Sequence, residues 1–187
     1  MFTIEAKTNT TVRNIIALAA AGMIALGLGI GVAIWERHPA DAAPLLALSF
    51  PDTQGTQQSL NQWRGKVLVV NFWATWCEPC REEMPQFVQA QRELGSEGLQ
   101  FIGIAVDQRD KVDQFARELG LNYPALIGGY DALDLSRSLG NRFAALPFTV
   151  IIDREGRVAH TQLGPSSETN FDLLCAIYSN WRQITQG

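Results

Sequence analysis

Hydrophobic and polar positions alternate with different periods along this chain, and each period predicts a different element. From Ile15 to Trp35, 21 residues pass without a single charge. At ~1.5 Å of rise per residue a helix of that length covers about 31 Å, the thickness of a bilayer's hydrocarbon core. Lys66–Trp73 (KVLVVNFW) and Leu99–Val106 (LQFIGIAV) are continuous β-branched and aromatic runs, the pattern of strands buried on both faces. Between them a helix is predicted over Glu78–Leu94, with Met84, Phe87, Val88 and Leu94 on its inner side. Val112, Phe115, Ala116 and Leu119 recur at three- and four-residue spacing and predict a second helix over Val112–Leu119. Tyr123–Ile127 reads as a short strand and Ala132–Leu139 as a short helix. Phe148–Ile152, a turn at Arg154-Glu155-Gly156 and Arg157–Leu163 form a hairpin, and Glu168–Trp181 closes the chain as an amphipathic helix. Leu45 to Trp63 mixes short apolar stretches with Pro51, Asp52 and Gly55, which suggests a small hairpin or turn. Strands alternating with helices imply an α/β sheet with helices on both faces.

These elements divide the chain into a tail (1–14), a membrane anchor (15–35), a linker (36–44) and one domain (45–187). A cleaved signal peptide is the competing reading, since Ala40-Asp41-Ala42 supplies an A-x-A site. The apolar stretch is longer than the ~7–15 residues of a signal peptide, and Arg37 interrupts before that site, so a retained anchor is favoured. Lys7, Arg13 and the terminal amine precede the span and Arg37 alone follows it closely, which favours a cytoplasmic N-terminus and an exported C-terminal domain. The spacing Gly27 to Gly31 could let two helices approach closely, although an alanine-rich anchor with chance spacing accounts for it as well.

Charge and composition narrow the chemistry. The chain is net −4 and its acidic excess lies in the C-terminal domain, so a nucleic-acid partner is not expected. Two histidines, His38 and His160, exclude a multi-histidine metal site. Three cysteines are too few for a disulfide-stapled scaffold, and a domain of this length needs no staples.

Cys77-Glu78-Pro79-Cys80 falls where the first buried strand ends and a helix begins. A helix N-terminus presents unpaired N–H groups and a positive partial charge, which stabilise a thiolate. Three-residue helical spacing brings both sulfurs to one face, within disulfide range. The first thiol is thereby expected to ionise below the ~8.5 of free cysteine. Pro79 fits the first helical turn, where no N–H is required. A zinc site needs two further ligands, and the remaining cysteine, Cys175, stands far downstream on the last helix, so redox chemistry is favoured and no metal is expected.

The segment Phe72-Trp73-Ala74-Thr75-Trp76-Cys77-Glu78-Pro79-Cys80-Arg81-Glu82-Glu83-Met84-Pro85 resembles the active-site segment of the thioredoxin superfamily. More narrowly it resembles the membrane-anchored, exported thiol–disulfide reductases of the TlpA/ResA type, which act in cytochrome c maturation and related metal-site assembly. The resemblance covers Leu45 to the C-terminus. It implies a thioredoxin-like fold, a central mixed sheet flanked by helices with an added N-terminal β-hairpin. It implies Cys77 as exposed attacking thiol, Cys80 as buried resolving thiol, and a redox-active Cys77–Cys80 disulfide in place of any cofactor. Pro85 matches a proline that kinks the first helix. Pro147 is implied to be a cis-proline facing the cysteines, with the Leu146 backbone free to pair with an extended substrate and the ring blocking metal from the sulfurs. Glu83 resembles the glutamate of C-x-x-C-x-x-E that assists thiol proton transfer, and partial burial would raise its pKa toward a useful range; a solvated glutamate is the alternative.

Asn71 departs from the cytosolic thioredoxins, which carry a buried aspartate there. An amide cannot accept the proton, so that task falls to Glu83, to water or to nothing, and narrow client choice is expected. Trp76 is expected to shape the surface near Cys77, and Trp73 to lie in the core. Cys175 and His160 read as structural, and Asp107 suits either the functional edge or a helix cap. The expected activity is reduction of disulfides in exported client proteins, recharged by a membrane thiol-transporting donor, by a single-pass protein of the bacterial inner membrane with its domain in the periplasm. A peroxiredoxin-like peroxidase is disfavoured because Ala74 and Val70 stand where that family carries threonine and proline. Copper delivery to an oxidase is disfavoured by the two-residue spacing of the cysteines and by Pro147.

Overall fold

The computed structural model describes residues 13–24 and 41–165. The chain divides into two units, Met1–Pro39 and Ala40–Gly187. In the first, residues 13–24 are helical. Among the described residues no helix is long and apolar enough to cross a membrane. Positions 25–35 of the expected span lie outside the described residues, as do the helix expected over Glu168–Trp181 and Cys175.

In the second unit the chain packs onto the domain earlier than the expected boundary at Leu45. Asp41 bridges to Arg157, the Ala42 N–H donates to the Gly156 carbonyl at 3.0 Å, and Ala42 is fully buried. A helical turn at Ala43–Leu46 then buries Leu45 and Leu46. The expected hairpin follows as β1 (Ser49–Pro51) and β2 (Gln57–Ser59), antiparallel with Ser49 opposite Ser59. Asp52 closes its turn, accepting from the Gln54 and Thr56 N–H groups at 2.9 Å each and from Gln58 Nε2 at 2.8 Å.

The main sheet grows from the two apolar runs, β3 (Val67–Trp73) and β4 (Leu99–Ala105), every residue of which is buried. They are parallel, as a strand–helix–strand crossover requires, and α1 (Glu78–Leu94) connects them. Then come α2 (Arg109–Leu119), β5 (Ala125–Ile127), α3 (Asp131–Ser138), β6 (Phe148–Ile152) and β7 (Val158–Leu163). The strand order is β5-β4-β3-β6-β7, with β5 parallel to β4, β6 antiparallel to β3 and β7 antiparallel to β6. This is a thioredoxin-like mixed sheet.

Helix α2 starts at Arg109, ahead of the expected Val112, because its first turn is Arg109-Asp110-Lys111 and carries no apolar residue to mark it. Strand β5 starts at Ala125 and not at Tyr123, because Pro124 has no N–H to add to the ladder. Register places Val69, Asn71 and Trp73 with Phe101, Gly103 and Ala105 on one face of the sheet. Against that face α1 stacks Phe87 on Phe101 at 5.0 Å, and α2 sets Phe115 against Trp73 at 5.4 Å. On the opposite face Phe72 meets Phe148 at 6.0 Å. There Gly128 lies between Ile104 and Ala132 of α3, so close that a Cβ would come within 2.6 and 2.7 Å of them.

Candidate active site

Strand β3 ends at Trp73 and α1 begins at Glu78, so the intervening turn sits at the carboxyl edge of the parallel strands, where ligands reach an α/β sheet. Cys77 is the N-cap of α1. Its Sγ accepts the Cys80 N–H at 3.3 Å, and Pro79 stands in the first turn. Cys77 and Cys80 form a disulfide with Cα atoms 5.3 Å apart. In this oxidised state Cys80 is fully buried, and Cys77, expected to be exposed, shows 6% of its surface. The cap explains the difference, since a sulfur turned back to the N–H groups of its own helix is covered by the turn it caps. Trp76, beside it, is 63% exposed.

The turn is tied to the neighbouring strand. Asp107, just past β4, accepts the Thr75 hydroxyl and, at 3.3 Å, the Thr75 N–H through Oδ2, while Oδ1 accepts the Gln108 N–H at 2.7 Å. Lys111 Nζ stands 3.9 Å from the same carboxylate. Asp107 thus anchors the segment leading to Cys77 and also offers the start of α2 a partner at Gln108, the two positions read for it from the sequence.

Because β6 runs antiparallel to β3 with Phe148 opposite Phe72, the residues just before it arrive at the same edge as the Cys77 turn. The Leu146–Pro147 peptide bond there is cis. Pro147 is buried, Leu146 half-buried, and Phe143 and Ala145 on the approach are exposed. Asn141 shapes this approach, donating through Nδ2 to the Ala145 carbonyl at 2.8 Å and accepting the Ala145 N–H at 3.1 Å.

Beneath the disulfide, Glu83 lies one turn along α1 and is 2% exposed, so the solvated alternative does not hold. Asn71 Nδ2 donates to Glu83 Oε1 at 2.9 Å and to Thr149 Oγ1 at 3.0 Å, joining α1, β3 and β6 in one buried polar contact. Tyr123, read from the sequence as a strand residue, belongs to the same interior. Burial first, and the Glu83 charge second, push its phenol far above the ordinary range. Its neighbours in sequence, Asn122 and Pro124, gave no signal of that placement. Arg81 extends from α1 over the Phe115 ring at 5.5 Å. His160 lies on β7, away from the cysteines in sequence and on the far strand of the sheet. Among the described residues no three His, Cys, Asp or Glu side chains form a group able to hold a metal ion.

With this geometry in place, comparison with known proteins assigns the family. Residues 38–174 match the Redoxin family model. The chain belongs to the redoxin family. This redoxin chain is 31% identical over 123 residues to the thiol-disulfide oxidoreductase ResA of Bacillus subtilis, covering 63% of this chain and 64% of that protein. It is 33% identical over 117 residues to ResA of Geobacillus thermodenitrificans, covering 62% and 64%. The similarity thus spans just under two thirds of the length of these relatives. A crystal structure of a thiol:disulfide interchange protein of the thioredoxin family from Chlorobium tepidum superposes with a TM-score of 0.66 at 31% identity, covering 75% of this chain and 96% of that one. The redoxin fold and the ResA-like character read from Phe72–Pro85 are therefore shown.

Proposed function

We propose that this redoxin is a thiol–disulfide oxidoreductase that reduces disulfides in exported client proteins. The observation that carries the reading is the Cys77–Cys80 disulfide at the N-terminus of α1, with the Cys77 sulfur accepting a helix N–H. The ResA relatives, named as thiol-disulfide oxidoreductases, support it.

In the reduced form the same N–H groups and the positive end of α1 would stabilise a Cys77 thiolate. That thiolate attacks one sulfur of a client disulfide, forming a mixed disulfide and releasing the other client sulfur as a thiolate, which takes a proton from solvent. Glu83, buried one turn behind Cys80, takes the Cys80 proton. The Cys80 thiolate then attacks Cys77, the second client sulfur leaves as a thiol after protonation, and the chain is left as the disulfide described here. Two electrons from a dithiol donor restore it. The donor enters at Cys77, because Cys80 has no exposed surface. Glu78 adds negative charge beside the nucleophile and so disfavours the stabilised reduced thiolate that makes a strong oxidant. Trp76, Leu146 and Pro147 line the approach and form the client-binding edge, with the Leu146 backbone pairing to an extended client segment.

We further read Ile15–Trp35 as a single-pass inner-membrane anchor that places the domain in the periplasm, where a membrane thiol transporter supplies electrons and cytochrome c maturation or metal-site assembly supplies clients. Ala74, fully buried, stands where a peroxidase of the peroxiredoxin type needs a hydroxyl, and no specific observation favours copper delivery. Trapping tests the reading. Cys80→Ser retains the nucleophile and removes the resolving thiol, so mixed disulfides at Cys77 should accumulate in cells and dissolve on reduction. Failure of Cys80→Ser to hold any protein through Cys77, under conditions where Cys77→Ser also holds none, would refute client reduction.

A further inference from the structure

The turn that presents Cys77 is held from outside at one point. The Val106 N–H donates to the Trp73 carbonyl at 2.8 Å and closes the β3–β4 ladder, and the Cys77 N–H donates within the turn to the Ala74 carbonyl at 3.2 Å. Between them Thr75 turns both of its donors, the N–H at 3.3 Å and the hydroxyl, onto Oδ2 of Asp107. Among the described residues no other hydrogen bond ties residues 74–76 to the rest of the domain. Asp107 is itself firmly placed. Its side chain is 4% exposed, Oδ1 accepts the Gln108 N–H at 2.7 Å, and Lys111 Nζ stands 3.9 Å away. Just before it, the Ala105 carbonyl accepts the Gly128 and Gly129 N–H groups at 3.0 and 3.1 Å. The contact with the start of α2 occupies Oδ1 alone. A carboxylate this enclosed is costly unless its oxygens are bonded, and the second oxygen is given wholly to the redox turn.

We propose that Asp107, acting through Thr75, is a positioning residue for the Cys77 nucleophile, holding the turn so that the sulfur meets the N–H groups of α1 and ionises. The inference rests on the reading of Cys77 as the attacking thiol. Thr75 lies two residues before Cys77, so at most about 7 Å of chain separates the clamp from the helix cap and little slack remains. Cys77 keeps φ −88° and ψ 102°, the extended backbone that lets its Sγ accept the Cys80 N–H at 3.3 Å. Stabilisation of a thiolate by helix N–H groups depends on distance and direction, and it falls off within the first turn. A turn released from Asp107 loses that alignment. The charged groups around it are Glu78, Arg81 and Glu82 on α1, Lys111 on α2 and Arg142 before β6, all exposed, and β3, β4 and β6 carry none. The Asp107 charge is taken up by Thr75, Gln108 and Lys111, so it acts on Cys77 through geometry.

The test reads the pH midpoint for modification of Cys77 by iodoacetamide in the reduced full chain. Thr75→Val keeps the shape and removes the hydroxyl, and should raise the midpoint by about half to one pH unit, a roughly three- to tenfold loss of thiolate below it. Thr75→Ser keeps the hydroxyl and should restore the parent value. Asp107→Asn should also raise the midpoint, and the double variant should move no further than the larger single one, because both break the same contact. A merely structural contact would lower stability and leave the midpoint where it was. A midpoint unmoved in Thr75→Val overturns the proposal, and Thr75→Ala carries the same expectation if the valine variant does not fold. A fall in Asp107→Asn overturns it too, since that is the mark of a nearby anion and not of a clamp. The reading beneath it is checked on the parent, by reduction of a small aromatic disulfide. If the reduced parent does not reduce it, or Cys77→Ser does so equally well, Cys77 is not the attacking thiol. If the parent reduces it through Cys77 while the Thr75→Val midpoint stays fixed, the clamp alone is excluded.

Discussion

Asn71 makes two donations from one amide nitrogen, to Glu83 and to Thr149, and so fixes the buried carboxyl between a helix and two strands. A side chain of similar size without the amide removes both bonds and leaves Glu83 and Thr149 each short of a donor. Asn71→Leu should therefore lower the stability of the oxidised chain by about 1–3 kcal/mol in urea denaturation, as expected when a buried polar group loses its partner. Adding Glu83→Gln to it should recover part of the loss, because a buried amide is less costly than a buried carboxylate that has lost one of its donors. An effect below a few tenths of a kcal/mol would show that the contact does not hold the interior. The sequence made part of this legible. Three-residue spacing set Glu83 on the face of Cys80, and the missing aspartate at Asn71 left the proton-accepting task to Glu83, to water or to nothing. That the two residues touch depends on α1 packing across β3, and no local pattern encodes it. The burial of Tyr123 was illegible for the same reason, since its neighbours Phe101 and Gly103 come from another element, β4.

At the scale of elements, apolar runs and amphipathic periods located β3, α1, β4 and the β6–β7 hairpin, because these elements are defined by what they bury. The polar start of α2 was missed, since its first turn contributes little to the core, and β5 was begun two residues early, at Tyr123, because the buried tyrosine before Pro124 looks like a strand residue. The β1–β2 hairpin was legible from Asp52 and Gly55, whose roles the structure supplies. The Asp52 carboxylate collects the Gln58 side-chain donor and the backbone donors of its turn. Those bonds, the Gln58 bond foremost, hold its pKa below the ordinary 3.8. A carboxyl depressed on folding contributes stability above its unfolded value, and that contribution is lost as pH falls through the folded value. Asp52→Asn should accordingly be less stable than the parent at pH 7, with the gap closing as the pH is taken below 3.8. Thermal unfolding across that range measures it, and a gap that widens in acid would contradict the assignment.

The whole molecule gathers three separate segments at one edge of its sheet. Parallel β3 and β4 end there, and antiparallel β6 begins there, so the Cys77 turn, Asp107 and Leu146–Pro147 meet although far apart in sequence. The redoxin assignment follows from this arrangement together with the match over 38–174, and the catalytic reading depends on one asymmetry between the two sulfurs. Cys77 caps α1 and keeps 6% of its surface open, whereas Cys80 is fully enclosed. Alkylation of the reduced chain with iodoacetamide as a function of pH, followed by peptide mapping, measures that asymmetry directly. The account predicts modification at Cys77 with a midpoint below the ~8.5 of free cysteine, and Cys80 untouched until the chain unfolds. A midpoint at or above that value, or equal labelling of both sulfurs in the folded chain, would contradict it.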